Sequence, residues 1–179
     1  MPPNPNPARH ILTGPPGAGK TVLARGLEHA GFAIVEEAAT DVISWAQAKG
    51  EDAPWNDARF CDRVLVLQLK RARTAPAGAV VFDRSPVCTL ALAHFLGRAP
   101  SPALNAAATA ARDTYGPRVF FIESLDFIVN TAARRISLDD ARRFGALHRQ
   151  VYADLGFNLV DIPPGSPAER LDLVLSHLR

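Results

Sequence analysis

The sequence has few cysteines and no stretch long enough to span a membrane. Only Cys61 and Cys88 occur among the 179 residues, each in an apolar run of helical character and without a CxxC pair. Isolated cysteines of this kind are expected to be buried and reduced, not joined in a disulfide framework. No run of about 18 apolar residues is present, so no transmembrane helix is predicted. The opening MPPNPNPARH also lacks the apolar core of a signal peptide. We therefore expect a cytoplasmic protein whose residues 1–8 are disordered.

Neither the net charge nor the spacing of the histidines indicates a particular binding partner. Lys plus Arg number 20 and Asp plus Glu number 18, which gives a formal net charge of +2. A balance this close does not indicate a surface for nucleic acid or for anionic lipid. The five histidines are scattered, without the spacing of metal ligands. Composition therefore gives no indication of a nucleic-acid partner, and we predict no membrane partner and no metal cage built from protein ligands.

The apolar pattern predicts a single α/β domain over residues 9–179. Short apolar runs of β type alternate with helix-length segments, and these runs cover 10–14, 32–36, 79–83, 118–123 and 157–162. Such alternation is typical of a parallel sheet wound with helices, and the chain length suits one core.

Start and stop residues mark several helices. The pattern predicts helices over 20–30, 58–73, 138–155 and 167–178. Gly31 has the position of a left-handed helix end, while Ser137 and Ser166 each have the form of a capping box. The Pro- and Ala-rich segments 75–79 and 97–104 are predicted to be loops within the domain.

The segment GPPGAGKT, residues 14–21, follows an apolar strand and opens a helix. It fits GxxxxGKS/T, and this context makes a phosphate-binding loop the favoured interpretation over a simple Gly/Pro turn. The glycines let backbone N–H groups surround the β-phosphate, and the helix N-terminus adds positive partial charge. We expect Lys20 to contact the β and γ oxygens and Thr21 to ligate Mg²⁺. The predicted nucleotide contacts are Gly14, Pro15, Pro16, Gly17, Ala18, Gly19, Lys20, Thr21 and Val22.

Three further segments follow this loop in a characteristic order: EEAATDVI after the second strand, FDRSP after the third, and YADLGFNLVDIPPGSPAERLDLVL near the C-terminal end. Together with GPPGAGKT they resemble nucleoside or nucleotide kinase-like P-loop proteins. The closest resemblance is to the small AAA-domain family of predicted ATPases that includes relatives of the ribosylnicotinamide kinase domain. It covers residues 9 to about 178. It implies a three-layer fold with a five-stranded parallel sheet in the order 2-3-1-4-5, ATP and Mg²⁺ as ligands, and adenine packed at the loop 163–166.

The turn FDRSP resembles the Asp-Arg turn that thymidylate kinase-like enzymes carry beside the phosphate-loop strand. A carboxylate at Asp83 can hold an Mg²⁺-bound water or orient the acceptor, and Arg84 can clamp an anionic oxygen of the substrate. The alternative is that Asp83 caps the helix that begins near Pro86, with Arg84 as its solvated neighbour. The first interpretation is favoured because open α/β sheets bind ligands at the carboxyl ends of their strands.

Two acidic residues close the second predicted strand. In deoxynucleoside kinases an acid at this place accepts the proton of the attacking hydroxyl, and Glu37 followed by two alanines matches the pattern that the resemblance implies. Glu36 is a candidate for contact with the substrate, and Glu36, Glu37 and Asp83 are all candidates for the base. Alternatively, both glutamates simply favour the dipole of the following helix.

Arg134 and Arg135 fall in the region that forms the arginine-bearing lid of nucleotide kinases. A cation there stabilises charge on the transferring phosphoryl group. The alternative is that the two arginines are simply basic residues at the C-terminal end of a helix. Trp45, Trp55 and Phe60 belong to the region that roofs the acceptor in a nucleoside kinase. They either stack on a base or, as we favour, pack in the core or a hinge.

Some classes of P-loop protein are disfavoured because their motifs are absent. No NKxD motif occurs, which argues against a switch GTPase. AAA motors usually carry a hydrophobic run that ends in Asp-Glu after the phosphate loop, and this sequence has no such run. We therefore predict a small-molecule kinase that uses ATP and Mg²⁺ to phosphorylate a nucleoside, a nucleotide or a similar acceptor. The alternative is a regulatory ATPase or nucleotide sensor that acts on a protein partner. The intact Lys20-Thr21 pair disfavours a scaffold without catalysis.

Overall fold

The computed structural model describes residues 9–125 and 137–178. Five strands lie in these ranges: β1 Arg9–Thr13, β2 Ala33–Val35, β3 Val80–Asp83, β4 Arg118–Ile122 and β5 Asn158–Ile162. Each agrees with a predicted strand to within one residue at either end. The predicted disorder of residues 1–8 lies outside the described residues.

The helices of the described ranges are α1 Lys20–His29, α2 Ala38–Ala48, α3 Phe60–Thr74, α4 Pro86–Phe95, α5 Pro102–Thr109, α6 Ala111–Tyr115, α7 Leu138–Asp154 and α8 Pro167–Leu178. A short 3-10 helix covers Pro54–Asn56. The prediction of a loop over 97–104 is wrong at its end, because α5 begins at Pro102. Ser101 Oγ accepts the N–H of Leu104 at 3.1 Å, and proline is well suited to the first turn of a helix.

The predicted helix ends are confirmed. Ser137 Oγ accepts the N–H of Asp140 at 3.0 Å, and Ser166 Oγ accepts the N–H of Glu169 at 3.3 Å. The Glu169 carboxylate in turn accepts the N–H of Ser166 at 2.9 Å, which completes a capping box. Gly31 has a φ of 98°, the left-handed conformation that ends α1.

All five strands run parallel in the order β2-β3-β1-β4-β5, which confirms the predicted topology. Leu12 in β1 is paired with Asp83 in β3 on one side and with Phe120 in β4 on the other. Because parallel strands end at the same edge of a sheet, the turns after β1, β2 and β3 lie side by side.

The sheet separates two apolar cores. Successive side chains of a strand point to opposite faces, so Leu12 and Val81 pack with α1 and α8, while Ile11 and Phe82 pack with helices α2 to α7. The fold is therefore the predicted three-layer arrangement. Cys61 and Cys88 are buried free thiols, as expected from the sequence, and burial raises the pKa of Cys61. Over the described ranges, no helix has both the length and the apolar character that crossing a membrane requires.

Candidate functional site

Of the predicted site residues that the structure describes, those of the phosphate loop and of the turns after β2 and β3 lie at the carboxyl edge of the sheet. The phosphate loop follows β1, Asp83 is the last residue of β3, and Glu36 and Glu37 follow β2. Since β3 lies between β1 and β2, Asp83 stands between the phosphate loop and the two glutamates. Segments far apart in the sequence thus form one surface.

The phosphate loop has a backbone shape that requires glycine. Gly14, Gly17 and Gly19 have φ angles of 134°, 80° and 86°, a region in which a Cβ atom is strained. A Cβ on Gly14 would also lie 2.2 Å from the carbonyl oxygen of Ile122 at the end of β4. A glycine-bearing loop of positive φ that leads into a helix N-terminus is an anion-binding arrangement.

Lys20 and Thr21 occupy the first turn of α1. Lys20 Nζ donates hydrogen bonds to the carbonyl oxygens of Gly14 at 3.1 Å and Pro15 at 2.8 Å, and the residue is 5% exposed. The ammonium group is therefore held across the loop. Thr21 is exposed, and its hydroxyl and the Asp83 carboxylate are oxygen donors of the kind that Mg²⁺ prefers. The loop and these donors fit a magnesium nucleotide. Val22, the last of the predicted contacts, is also exposed.

An arginine from the last helix supports the phosphate loop. Arg170 of α8 is buried, and its Nη1 and Nη2 atoms donate to the carbonyl oxygens of Ala18 at 2.8 Å and Glu123 at 2.9 Å. Ala18 belongs to the loop and Glu123 directly follows β4. A single guanidinium group thus joins the loop to the neighbouring strand. This contact is not predictable from the sequence, because no local pattern distinguishes Arg170 from a surface arginine of a helix.

The Asp-Arg turn after β3 is buried and strained. Asp83 and Arg84 are 8% and 9% exposed, and Arg84 has a φ of 76°, the one positive φ among the non-glycine residues described. Such a conformation costs about 1–3 kcal/mol and tends to occur at functional sites. Ser85, not Asp83, caps α4, since Ser85 Oγ accepts the N–H of Val87 at 3.3 Å. The alternative of a capping Asp83 beside a solvated Arg84 is therefore wrong.

Arg84 links two residues of other elements. Its Nε donates to Glu37 Oε1 at 2.6 Å, and its Nη1 lies 3.1 Å from His148 Nε2. His148 Nδ1 lies 2.9 Å from the carbonyl oxygen of Phe144, so Nδ1 carries the proton and Nε2 accepts from Arg84. Thr40 Oγ1 donates to the second oxygen of Glu37 at 2.8 Å. Glu37, which is partly buried, and the buried Arg84 and His148 form a chain of contacts across the site.

The charges in this chain depend on one another. Burial alone would lower the pKa of Arg84, but its acidic neighbours, Glu37 first among them, outweigh burial and the pKa is raised. Burial, followed by the positive charge of Arg84, holds the pKa of His148 well below its usual 6.5. His148 is therefore neutral at physiological pH. In the sequence, His148 is one of five scattered histidines, and its place on the apolar face of α7 is the one signal that distinguishes it.

A second set of contacts joins α7 to the same turn. Tyr152, one helical turn beyond His148, is fully buried, and its hydroxyl lies 2.7 Å from Ser85 Oγ and 3.1 Å from Cys88 Sγ. Burial raises the pKa of Tyr152 well above its usual range. The turn is thus anchored to α7 at two successive residues, Arg84 and Ser85.

Other predicted residues lie elsewhere. Glu36 forms an ion pair with Arg25 in which the two side chains are 55% and 53% exposed, and it does not line the pocket described below. Trp45 is 67% exposed. Arg134 and Arg135 lie outside the described residues, so their role stays a prediction.

A pocket of about 270 Å³ adjoins the phosphate loop. Its lining includes Pro16 of the loop together with Glu37 and Arg84, and the remaining walls come mainly from α2, α3, α4 and α7. Of the predicted aromatic residues, Trp55 and Phe60 line it, and Phe60 is also part of the core. A mostly apolar cavity with a few convergent polar groups is the usual form of a small-molecule site.

The family follows from a comparison of sequences. Residues 9–170 match the profile of a protein family described as an AAA domain, and this range includes both the phosphate loop and Arg170. The chain belongs to this AAA-domain family. No curated protein matches the chain.

Solved structures show the fold of the AAA-domain protein. A deoxyadenosine kinase from M. mycoides, determined with dCMP and dCDP, is similar with a TM-score of 0.60 at 13% identity, covering 94% of this chain and 96% of that one. Shikimate kinase from Acinetobacter baumannii, in complex with shikimate, is similar with a TM-score of 0.57 at 14% identity, covering 97% and 94%. At these identities the similarity establishes the fold. The AAA-domain protein is a P-loop NTPase with the nucleoside and nucleotide kinase-like fold, as its sequence motifs predicted.

Proposed function

We propose that this protein is a small-molecule kinase that transfers the γ-phosphoryl group of ATP to a hydroxyl acceptor in the pocket beside the phosphate loop. The observation that carries this proposal is the lining of the pocket, which combines Pro16 of the loop with the buried pair of Glu37 and Arg84. Hydrolysis alone would not require an apolar pocket for a second substrate. The fold similarity to deoxyadenosine kinase and shikimate kinase supports the same assignment.

Lys20 and the loop backbone are assigned to the triphosphate. In this structure the Lys20 ammonium donates to the carbonyl oxygens of Gly14 and Pro15. Phosphate oxygens would replace these neutral acceptors with charged ones, and charge-assisted hydrogen bonds are the stronger kind. Thr21 and Asp83 would hold Mg²⁺, which would supply neutralising charge at the β- and γ-phosphates.

Glu37 is assigned as the general base. Hydrogen bonds from Arg84 and Thr40 fix the orientation of its two carboxylate oxygens, and His148 fixes Arg84 in turn. As the acceptor oxygen bonds to the γ-phosphorus and the bond to ADP breaks, the hydroxyl proton passes to Glu37. Asp83 is reserved for the metal, and Glu36 receives no role because it points to an exposed ion pair.

The assignment is tested by measuring ADP release from Mg²⁺-ATP in the presence of nucleosides, nucleotides, sugars and pyridine ribosides. A suitable acceptor should raise ADP release well above the basal rate, because water is poorly held in an apolar pocket. Glu37→Gln should depress the stimulated rate much more than the basal one. Glu36→Gln, an identical change at the adjacent residue, is the matched control and should leave both rates close to wild type.

One pattern of results would contradict the kinase assignment. If no acceptor stimulates ADP release and a protein partner does, the function is that of a regulatory ATPase. Folding of each variant is checked by circular dichroism, and nucleotide binding by calorimetry, so that loss of activity is not confused with loss of structure.

A further inference from the structure

The charges that line the pocket restrict what kind of acceptor it can hold. Building on the proposed function, we infer that the acceptor carries no negative charge where the pocket encloses it: it is a small hydroxyl compound with an apolar face and without a phosphate or carboxylate group. Phosphorylated and carboxylated acceptors of the same shape are rejected.

The first observation is the apolar character and size of the pocket. Its described lining includes the aromatic side chains of Trp55, Phe60, Phe95 and Phe144, with Leu92 among the aliphatic ones. Aromatic rings offer flat apolar faces on which a ring of the ligand can stack. The volume, about 270 Å³, lies just below the range of roughly 300–1,000 Å³ that is common for ligand pockets, which suits a small acceptor.

The second observation is that the positive charge of the lining is already balanced. Among the described residues that line the pocket, Arg84 is the one cation, and its side chain is 8% exposed. Its guanidinium group is paired with the Glu37 carboxylate at 2.6 Å and donates to His148. A phosphate or carboxylate of the acceptor would have to compete with Glu37 for this charge.

The third observation is a further carboxylate. Asp140, in the first turn of α7, also lines the pocket, where it accepts from Ser137 Oγ at 2.9 Å and lies 3.2 Å from Arg143. The described lining therefore contains two carboxylates and one guanidinium. Arg143 and Asp140 are 69% and 47% exposed, so solvent screens this pair more than the pair of Arg84 and Glu37. A second anion inside the pocket would lose its hydration and, among the described lining residues, would meet carboxylates and a cation that is already paired.

The polar groups that remain in the lining are neutral. Gln68 Oε1 accepts from Thr89 Oγ1 at 2.8 Å, and Gln68 Nε2 donates to the carbonyl oxygen of Ser85 at 3.1 Å. A carboxamide has two donor hydrogens and two acceptor sites, so one of each stays available to a ligand. These groups can form hydrogen bonds with an uncharged polar group on an otherwise apolar ligand.

Matched pairs of compounds test the inference. Adenosine and cytidine are compared with their 3′-monophosphates, which keep the 5′-hydroxyl free, and the methyl ester of shikimate is compared with shikimate. Binding is measured by calorimetry on the full chain loaded with Mg²⁺ and a non-hydrolysable ATP analogue, and ADP release is measured separately with ATP. In at least one pair, the neutral member should bind at least about tenfold more tightly, because the described lining offers an anion no cation that is not already paired. The same member should raise ADP release.

Substitution of Asp140 provides a second, independent measurement. Asp140→Asn keeps an oxygen for the hydrogen bonds of the helix cap and removes one negative charge, so discrimination against the anionic member should shrink by roughly threefold or more. Asp139→Asn is the matched control: Asp139 is 94% exposed on the same helical turn and does not line the pocket. Its discrimination should equal that of wild type.

The possible failures are distinguishable. If the anionic members bind at least as well as the neutral ones and raise ADP release, the inference is overturned while the kinase assignment stands. If both aspartate variants change discrimination equally, the pocket wall is not the cause and the inference is again overturned. If no compound binds or raises ADP release here, and none of the broader panel of nucleosides, nucleotides, sugars and pyridine ribosides does so, the kinase assignment fails, and the inference fails with it.

Discussion

Replacement of Glu37 by glutamine should destabilise the protein in addition to impairing phosphoryl transfer. Glu37 Oε1 lies 2.6 Å from Arg84 Nε, and the two side chains are 15% and 8% exposed. Glutamine keeps an oxygen that can accept the Arg84 N–H but removes the negative charge. The buried guanidinium then loses its principal counter-charge while remaining in a poorly hydrated position.

The size of the effect follows from burial. Removal of one partner from a buried ion pair costs about 3–5 kcal/mol, because the other charge stays desolvated. Since glutamine retains one hydrogen bond and Glu37 keeps some contact with solvent, we expect a loss of about 2–3 kcal/mol in the free energy of unfolding. The adjacent Glu36 forms a pair whose side chains are 55% and 53% exposed, and exposed pairs contribute only about 0–1 kcal/mol.

A comparison of the two variants shows how much the ion pair of Glu37 and the exposed ion pair of Glu36 each contribute to the free energy of unfolding. Urea unfolding of wild type, Glu37→Gln and Glu36→Gln near neutral pH gives the three free energies, with the slope of each transition checked for two-state behaviour. The first variant should lie well below wild type and the second close to it. Equal stability of the two variants would refute the argument that Arg84 depends on Glu37 for its burial.

Four further predictions concern single residues. Lys20→Ala should reduce ADP release at least about a hundredfold, which corresponds to roughly 2.7 kcal/mol, while the fold is retained; turnover near wild type would exclude the loop as the catalytic centre. Asp83→Asn should shift the Mg²⁺ dependence of ADP release to higher concentration, and an unchanged titration would remove Asp83 from the metal site. Because the folded-state pKa of His148 is lowered, the unfolded chain takes up a proton that the folded chain does not, and stability should fall as pH drops below 6.5. Between pH 6.5 and about 5.5, His148 should account for up to about 1 kcal/mol of the loss in the free energy of unfolding. In urea unfolding, His148→Gln should therefore lose less stability over this pH range than wild type. Equal losses in the two proteins would contradict a lowered pKa of His148. Gly14→Ala should abolish nucleotide binding in a calorimetric titration, since its Cβ meets a backbone oxygen at 2.2 Å, whereas Gly31→Ala, with nothing within 4 Å, should bind normally and lose only about 1–2 kcal/mol of stability.

The elements that sequence predicted well are those with local causes. A short apolar run predicts a strand. A serine followed three residues later by an acidic residue predicts a helix start, as at Ser137 and Ser166. The phosphate loop belongs to the same class, because its glycines and its Lys-Thr pair are consecutive. The segment 97–104 was partly mistaken for a loop since its prolines were given more weight than the serine at 101 that caps α5.

The contacts that sequence did not predict join distant residues. Glu37 and Arg84 are 47 residues apart, and Arg84 and His148 are 64 residues apart. No pattern of neighbouring residues shows which of two adjacent glutamates turns inward, and Glu36 and Glu37 were accordingly left as alternatives. Their separation into an exposed and a buried acid is a product of tertiary packing. The neutral state of His148 has the same origin, because it depends on burial beside a guanidinium group.

The contact of Arg170 with Ala18 also has a consequence for the order of assembly. These residues are 152 positions apart, so during synthesis the phosphate loop leaves the ribosome long before the helix that holds it. The nascent chain therefore contains the complete GPPGAGKT motif before the contact from α8 that supports the loop can form. By the same logic, removal of the residues that follow the exposed segment 163–166 would take this support away from a phosphate loop whose sequence is intact.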